Sequence, residues 1–246
     1  MSTERNGTLF NAGFALAVAL VLSSIVLGWS LVRSKANTEQ TITVTGSARK
    51  RIKSDLVIWR ASVTYQGTQL SEAYNSLKTN VPLIRQYLIQ KGVPENQIVV
   101  SSITTQTLKG KNEQGEETGQ ITGYSLTQTF EVRSNDVEKI TKISREATEL
   151  IDRGILIESQ APEYQYTKLG DLKIEILGEA AKDAKVRAAQ IATSTGSSIG
   201  DVRAARMGVM QITPADSNEV SDYGMNDTSS LEKDVTAVVN VSFAVN

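Results

Sequence analysis

The stretch LGDLKIEILGEAAKDAKVRAAQIATSTGSSIGDV, residues 169–202, decides the fold because it contains the clearest helix and the clearest helix end in the chain. Apolar residues recur in it at intervals of three and four, which is typical of a helix with one buried face. The predicted face consists of Leu177, Ala180, Ala181, Ala184, Ala188, Ile191 and Ala192. Because most of these side chains are small, the helix can lie close to a sheet. We predict that Gly196 ends it in the left-handed conformation.

The composition excludes several classes of function. The chain has 246 residues, of which 40% are apolar and 22% charged, as expected of a protein with a core. Beyond residue 36 it has 23 basic and 26 acidic residues, and only 5% of the chain is aromatic, so we expect no nucleic-acid partner. Cysteine and histidine are absent, which excludes disulfides, thiolate and imidazole chemistry and the usual zinc sites.

The amino-terminal part contains a long apolar run, LFNAGFALAVALVLSSIVLGWSLV, over residues 9–32. As a helix this run is about 36 Å long, which is enough to cross the hydrocarbon core of a bilayer. We therefore predict a short tail over residues 1–8, a transmembrane signal-anchor over residues 9–32 and a polar linker over residues 33–40. The alternative is a cleaved signal peptide with a cleavage site at Ser34 and Ala36, although its apolar region is usually about 7 to 15 residues long.

The basic residues around this run favour a cytoplasmic location for the rest of the chain. Arg5 stands alone before the run, whereas Arg33, Lys35 and three further basic residues follow within about 20 residues. Large domains, however, are translocated largely regardless of charge. The charge pattern by itself leaves the orientation open.

The rest of the chain alternates between strand and helix patterns. Residues 41–45 and 55–65 alternate apolar with polar residues, so we predict two strands paired as a hairpin. The basic run between them, Arg49 to Lys53, is predicted as a solvated turn. The elements predicted next are a helix from Thr68 to Gly92, strands over 98–108 and 121–133, a helix over 137–151, a strand over 155–166, the helix described above, and strands over 199–212 and 234–245.

These elements predict an α/β (α+β) fold over residues 41–246. Within it, residues 55–166 follow the order β-α-β-β-α-β of a split βαβ arrangement, with the sheet packed by amphipathic helices. The pattern fits either two sheets or one sheet with helices on one side. The polar segment from Thr213 to Ser230 is predicted as an exposed loop.

Two short motifs are candidates for catalysis. Ser47 with Lys50, and Ser230 with Lys233, have the S-x-x-K spacing that places a nucleophile and a base one helical turn apart in serine β-lactam enzymes. Neither opens a buried helix, and the S-D-N and K-T-G motifs that accompany S-x-x-K in those enzymes are absent. We predict no catalytic residue.

A charged segment, KGKNEQGEETG over residues 109–119, was weighed as a cation site. Its carboxylates, Glu113, Glu116 and Glu117, lack the spacing of a calcium-binding loop, so we predict a solvated hairpin loop. We predict no metal-binding or cofactor-binding residue.

Several segments, taken in order, resemble the SIMPL-domain family of bacterial cell-envelope proteins. They are ITVTGSARKRIKSDLVIWRASV, AYNSLKTNVPLIRQYLIQKGV, YSLTQTFEV followed by DVEKITKISREA, AAKDAKVRAAQIATSTGSSIGDV and DVTAVVNVSFAV. The resemblance covers about residues 41–245. It implies an α/β domain exported across the inner membrane, ring-like or channel-like homo-oligomers for some members, and links to envelope stress responses, but no catalytic motif.

Together these observations favour a non-enzymatic protein anchored in the bacterial inner membrane, with its carboxyl-terminal domain in the periplasm. Exposed strand edges are templates for another strand, so we expect the domain to form a large homo-oligomer. The expected partners are the chain itself, the bilayer through residues 9–32, and an envelope protein. One alternative is a module that captures a protein or peptide at a strand edge. The other is a hydrolase that uses a Ser/Lys pair.

Overall fold

The computed structural model describes residues 21–25 and 40–246. Residues 21–25 are helical, whereas the rest of the signal-anchor predicted over residues 9–32, the tail and nearly all of the linker lie outside the described residues. In the described part of the chain, no helix is both long and apolar enough to cross a membrane.

The fold is mixed α+β, as predicted. Its α-helices beyond residue 40 are α1 (Leu70–Gln90), α2 (Val137–Glu146) and α3 (Leu169–Ser194), with 3₁₀ helices at Glu95–Gln97 and Ala147–Arg153. The strands are β1 (Thr41–Lys53), β2 (Leu56–Gly67), β3 (Ile98–Val100), β4 (Thr104–Lys111), β5 (Glu117–Ser134), β6 (Ile157–Ser159), β7 (Glu163–Gln165), β8 (Ile199–Met207), β9 (Gln211–Pro214), β10 (Met225–Asn226) and β11 (Glu232–Val245).

These strands form two sheets, which decides between the two arrangements that the sequence left open. In the six-stranded sheet, β2 and β5 are antiparallel neighbours, β3 and β4 pair with β5, and β6 and β7 pair with β2. In the five-stranded sheet the order is β1-β11-β9-β10, and β8 also pairs with β11. The order β-α-β-β-α-β predicted for residues 55–166 is retained, with β3 and β4 together, and β6 and β7 together, each standing for one predicted strand.

The predicted hairpin between the first two strands is wrong, because β1 and β2 belong to different sheets. The basic run continues β1 and does not form a turn. Two lysines of the basic run form ion pairs with carboxylates on other elements. Lys50 binds Glu175, and the Lys53 amine lies 2.8 Å from the Glu138 carboxylate. These ion pairs allow a basic segment to remain in a strand.

The part of the chain from residue 40 onward divides into two compact units. The first comprises residues 40–46, Ala181–Arg206 and Val239–Asn246, and the second comprises Ser47–Ala180 and Met207–Val238. In the first unit, β1 and β11 are joined by a side-chain hydrogen bond between Thr43 and Ser242 (2.7 Å) and by one from the Thr45 hydroxyl to the Asn240 side-chain oxygen (2.6 Å).

The larger core of the second unit lies where α1 and α2 cover one face of the six-stranded sheet. Trp59 on β2 and Phe130 on β5 are fully buried there with Leu77 and Ile84 of α1. The side chain of Asp136 accepts a hydrogen bond from the backbone N–H of Lys139, so it caps α2 as predicted. A smaller core joins α3 to the five-stranded sheet, and its buried members are Ile52, Leu172, Ile176, Ile212, Val235 and Ala237.

Helix α3 buries a strict four-residue repeat of apolar side chains. The buried residues are Leu172, Ile176, Ala180, Ala184, Ala188 and Ala192. The predicted face mixed steps of three and four, and it wrongly included Ala181, which is exposed, and Ile191, which is 47% exposed. Steps of four follow a single ridge of the helix surface, and alanine lets that ridge pack closely. As predicted, Gly196 follows the helix with a positive φ of 78°.

The alanine ridge predicts a position-dependent response to a larger side chain. Ala188→Leu adds three carbon atoms at a fully buried position, and we expect it to lower the free energy of unfolding by about 1–3 kcal/mol. Ala181→Leu makes the same change at an exposed position of the same unit, and we expect an effect within about 0.5 kcal/mol. Urea-induced unfolding of both variants checks this, and equal losses of stability would contradict the packing described.

Candidate functional site

Strand β8 is an uncovered edge of the five-stranded sheet. Among the described residues its only strand neighbour is β11, and every residue from Asp201 to Met207 is exposed. Apolar side chains contribute to this exposure, with Val202 56% and Met207 68% exposed. A strand with one unpaired side presents backbone donors and acceptors that another strand can use. We call this side of the strand the β8 edge.

A second uncovered edge lies on β4, whose only described strand neighbour is β5. Residues Thr104 to Thr107 are all exposed and uncharged. The strand pairs with β5 from Thr104 opposite Thr127 to Lys111 opposite Glu117, with register shifts around Lys109. The two strands therefore extend as an antiparallel arm, and its outer side is the β4 edge.

The turn of this arm satisfies its own polar groups. The side-chain oxygen of Asn112 accepts hydrogen bonds from the backbone N–H groups of Gln114 (3.1 Å) and Glu116 (2.9 Å). The Asn112 amide in turn donates to the Glu116 carboxylate, and Lys109 bonds Glu117 at 3.3 Å. The predicted loop over residues 109–119 is shorter than expected, because residues up to Lys111 and from Glu117 belong to strands.

The most unusual buried group is Lys233 at the start of β11, whose side chain is 2% exposed. Its amine donates to the backbone oxygen of Asp227 at 2.6 Å and to the Asp227 carboxylate at 3.2 Å. The Asp227 carboxylate also accepts from the backbone N–H (2.8 Å) and the hydroxyl (2.7 Å) of Ser229. Both charges are thus paired, as burial requires.

A cavity of about 220 Å³ adjoins this pair. Its lining contains Lys233, aromatic and aliphatic residues, and polar residues. They are Lys233, Tyr164, Tyr166, Ile52, Leu169, Ile212, Gln165, Asn226, Asp227 and Thr228. The segment from Thr213 to Ser230, predicted as an exposed loop, contributes Asp227 and Thr228 to the cavity wall and contains β10. The backbone N–H of Tyr164 donates to the Thr228 oxygen at 2.7 Å, which fixes the loop beside β7.

Burial shifts the pKa values of Lys233 and Asp227 in opposite directions. Burial lowers the pKa of Lys233, and the hydrogen bond and the charge of Asp227 offset only part of that change. Burial alone would raise the pKa of Asp227, but hydrogen bonds from Ser229, Ser230 and Lys233 together lower it to about 2. The carboxylate is therefore ionised at any ordinary pH.

The neighbouring residue, Asp234, is 2% exposed and pairs with charged groups nearer the surface. Arg51 on β1 donates to both of its carboxylate oxygens, at 3.0 and 3.2 Å, and the backbone N–H of Asp216 donates at 3.0 Å. Asp216 has a positive φ of 65°, and its own side chain also accepts from Arg51. The hydrogen bond from Arg51, followed by that from the Asp216 backbone, keeps the pKa of Asp234 below its usual value.

The S-x-x-K motifs do not form the arrangement that a hydrolase needs. The amine of Lys50 binds Glu175, and that of Lys233 binds Asp227, so both lysines are engaged by carboxylates. A protonated lysine held by a carboxylate is not a general base, so neither pair is arranged to activate serine.

Sequence reasoning missed the burial of Lys233, although the chain contains a signal for it. Lys233 is in phase with Val235, Ala237 and Val239, which form the buried face of β11. A lysine at the end of such an alternation shares the face of its apolar neighbours.

The low pKa of Asp227 predicts a pH-dependent stability. Its ionised form contributes about 2 kcal/mol to the free energy of unfolding, which is fully present above the unfolded pKa near 4 and is lost as the pH falls toward 2. Asp227→Asn lacks this contribution. The difference between its free energy of unfolding and that of the wild type should therefore narrow by about 2 kcal/mol as the pH falls from 5 to 2. Urea-induced unfolding across that range measures the difference. Asp222→Asn alters an exposed residue of the same segment, and we expect its effect on the free energy of unfolding to stay within about 0.5 kcal/mol.

Comparison with known proteins identifies the family. A search of curated proteins finds no match. The model of a protein family described as "SIMPL: Protein of unknown function (DUF541)" matches residues 42–243, which is nearly the whole described domain. The match confirms the resemblance found in the sequence, and the chain belongs to the SIMPL family.

Proposed function

We propose that this chain is a non-enzymatic scaffold protein that forms a large homo-oligomer by pairing strand edges between copies. The observation that supports the proposal is the charge pattern of the fully exposed β8 edge. When two copies of β8 pair antiparallel in one register, Asp201 lies opposite Arg206 of the second copy. In the same register Val202 lies opposite Ala205.

This register is favoured because each ion pair occurs twice across a two-fold axis. Residues directly opposite each other on antiparallel strands interact, and opposite charges contribute about 0.2–1 kcal/mol per pair. The unpaired backbone N–H and C=O groups of the two edges form hydrogen bonds between the strands. The charges thus select the register and the partner, and the backbone provides most of the attraction.

The β4 edge allows the assembly to grow beyond a dimer. Its first half, Thr104 to Leu108, has no charge, so antiparallel pairing of two copies centred between Gln106 and Thr107 brings no like charges into opposition. A chain with two different self-pairing edges propagates, and closure of the series gives a ring.

The apolar run over residues 9–32 is part of this proposal. We propose that it anchors the chain in the bacterial inner membrane with the SIMPL domain in the periplasm, where it takes part in the response to envelope stress. Anchoring confines the copies to a surface, so their effective concentration is high and a weak edge contact suffices for assembly.

A charge exchange tests the β8 pairing directly. Asp201→Arg places like charges opposite each other twice per contact, and we expect the dissociation constant to rise about tenfold or more. Arg206→Asp should have the same effect, whereas the double variant Asp201→Arg/Arg206→Asp restores opposite charges and should assemble like wild type. The measurement is the mass of the full-length chain in mild detergent by light scattering over a range of concentrations.

Asp222→Arg is the matched control, because it makes the same charge change at an exposed residue outside β8. We expect it to leave the mass unchanged. A wild-type chain that stays monomeric would reject self-association. Failure of the double variant to recover would reject the register.

The second candidate function is capture of a strand from another envelope protein at the β4 edge. The uncharged stretch from Thr104 to Leu108 favours it, because such an edge imposes no charge pattern on an incoming strand. A monomeric wild-type chain that retains one specific protein through cross-links at Gln106 would support capture over self-association.

A further inference from the structure

The cavity beside Lys233 presents one hydrogen-bond donor for which the described residues supply no acceptor. A lysine amine has three N–H groups. Two of them are used by Asp227, through its backbone oxygen at 2.6 Å and its carboxylate at 3.2 Å. The remaining N–H belongs to a side chain that is 2% exposed and lines the cavity.

The partner carboxylate, by contrast, offers little to a ligand. Asp227 accepts from the backbone and hydroxyl of Ser229 and from Lys233. These three donors occupy most of the acceptor positions of a carboxylate. The buried pair therefore has no net charge, and it presents to the cavity chiefly the donor of Lys233.

The remaining walls combine rings and aliphatic surface with polar groups. Tyr164 and Tyr166 supply rings, Ile52, Leu169 and Ile212 supply aliphatic surface, and Gln165, Asn226 and Thr228 are the polar residues of the lining. A dry cavity of roughly 150 Å³ binds benzene. The volume of about 220 Å³ thus fits a ring with one further substituent.

We propose that this cavity is a binding site for a small, uncharged aromatic amide, whose carbonyl oxygen accepts the third N–H of Lys233 and whose ring packs against Tyr166 and Leu169. An uncharged ligand is favoured because the Lys233–Asp227 pair is already neutral, and a further buried charge would have no partner. An acceptor is required because a buried donor without a partner is unfavourable. The site does not depend on edge pairing.

The test uses 4-fluorobenzamide and the full-length protein, with the fluorine resonance of the probe as the readout. We expect saturable binding with a dissociation constant of about 1 mM or tighter. The matched probe is 4-fluorobenzylamine, which has the same ring but a cationic donor in place of the carbonyl. We expect it to bind at least tenfold more weakly, because it offers Lys233 no acceptor. Absence of saturable benzamide binding, or equal binding of both probes, would overturn the proposal.

Variants locate the binding. Leu169→Trp fills the cavity and should weaken benzamide binding at least tenfold, whereas Ile174→Trp, at a 75% exposed position of the same helix, should change it less than twofold. Lys233→Met/Asp227→Asn removes the donor and the charge of its partner together, so no unpaired buried charge remains, and it should also weaken binding at least tenfold. Thermal unfolding identifies any variant that does not fold. Undiminished binding in a folded Leu169→Trp or Lys233→Met/Asp227→Asn variant would place the probe elsewhere and reject the site.

Discussion

Two opposite charges buried side by side at the start of β11 constrain the second unit of the chain. Lys233 and Asp234 are each 2% exposed, and removing a charge from water costs several kcal/mol unless partners compensate. Lys233 is compensated by Asp227, and Asp234 by Arg51 and the backbone of Asp216. Each charge therefore fixes a different part of the long segment before β11. The same contacts hold β11 beside β1 and β9, where Lys233 is opposite Pro214 and Asp234 opposite Thr213.

Sequence reasoning succeeded where local periodicity determines structure. The carboxyl-terminal end of α3, the cap of α2 by Asp136 and the position of α1 follow from patterns within a few residues. It failed where partners are distant in sequence. The pairing of β1 with β11 leaves no local signal, and the basic run looked like a turn because Asp234 and Glu175 lie more than 100 residues away. Leu70 and Tyr74 fit the apolar periodicity of α1 but are 45% and 48% exposed, whereas Ala73 between them is fully buried.

The candidate sites were predictable to different degrees. Strand edges are expected in any open sheet, yet the sequence does not say which strands lie at an edge, and β8 reads as an ordinary half-buried strand. The cavity was not predictable, because its wall combines β1, β7, α3, β9, β11 and the segment before β11. The one sequence signal for it is that Lys233 lies on the same face of β11 as Val235 and Ala237, which indicates a buried position. Lysine is rarely buried, so the residue type alone favours a solvated position for Lys233.

The two proposed sites make different demands on the chain. Edge pairing needs an exposed backbone and a few charges that select a register, so it tolerates change at most side chains of β8. The cavity needs the hydrogen bonds that Asp227 accepts. Loss of one donor leaves the carboxylate less stabilised and frees an acceptor, which alters what the cavity binds. The Lys233–Asp227 pair thus serves the fold and the proposed ligand together. Because two of the three lysine donors suffice to neutralise and hold Asp227, the third can bind a ligand without disturbing the fold.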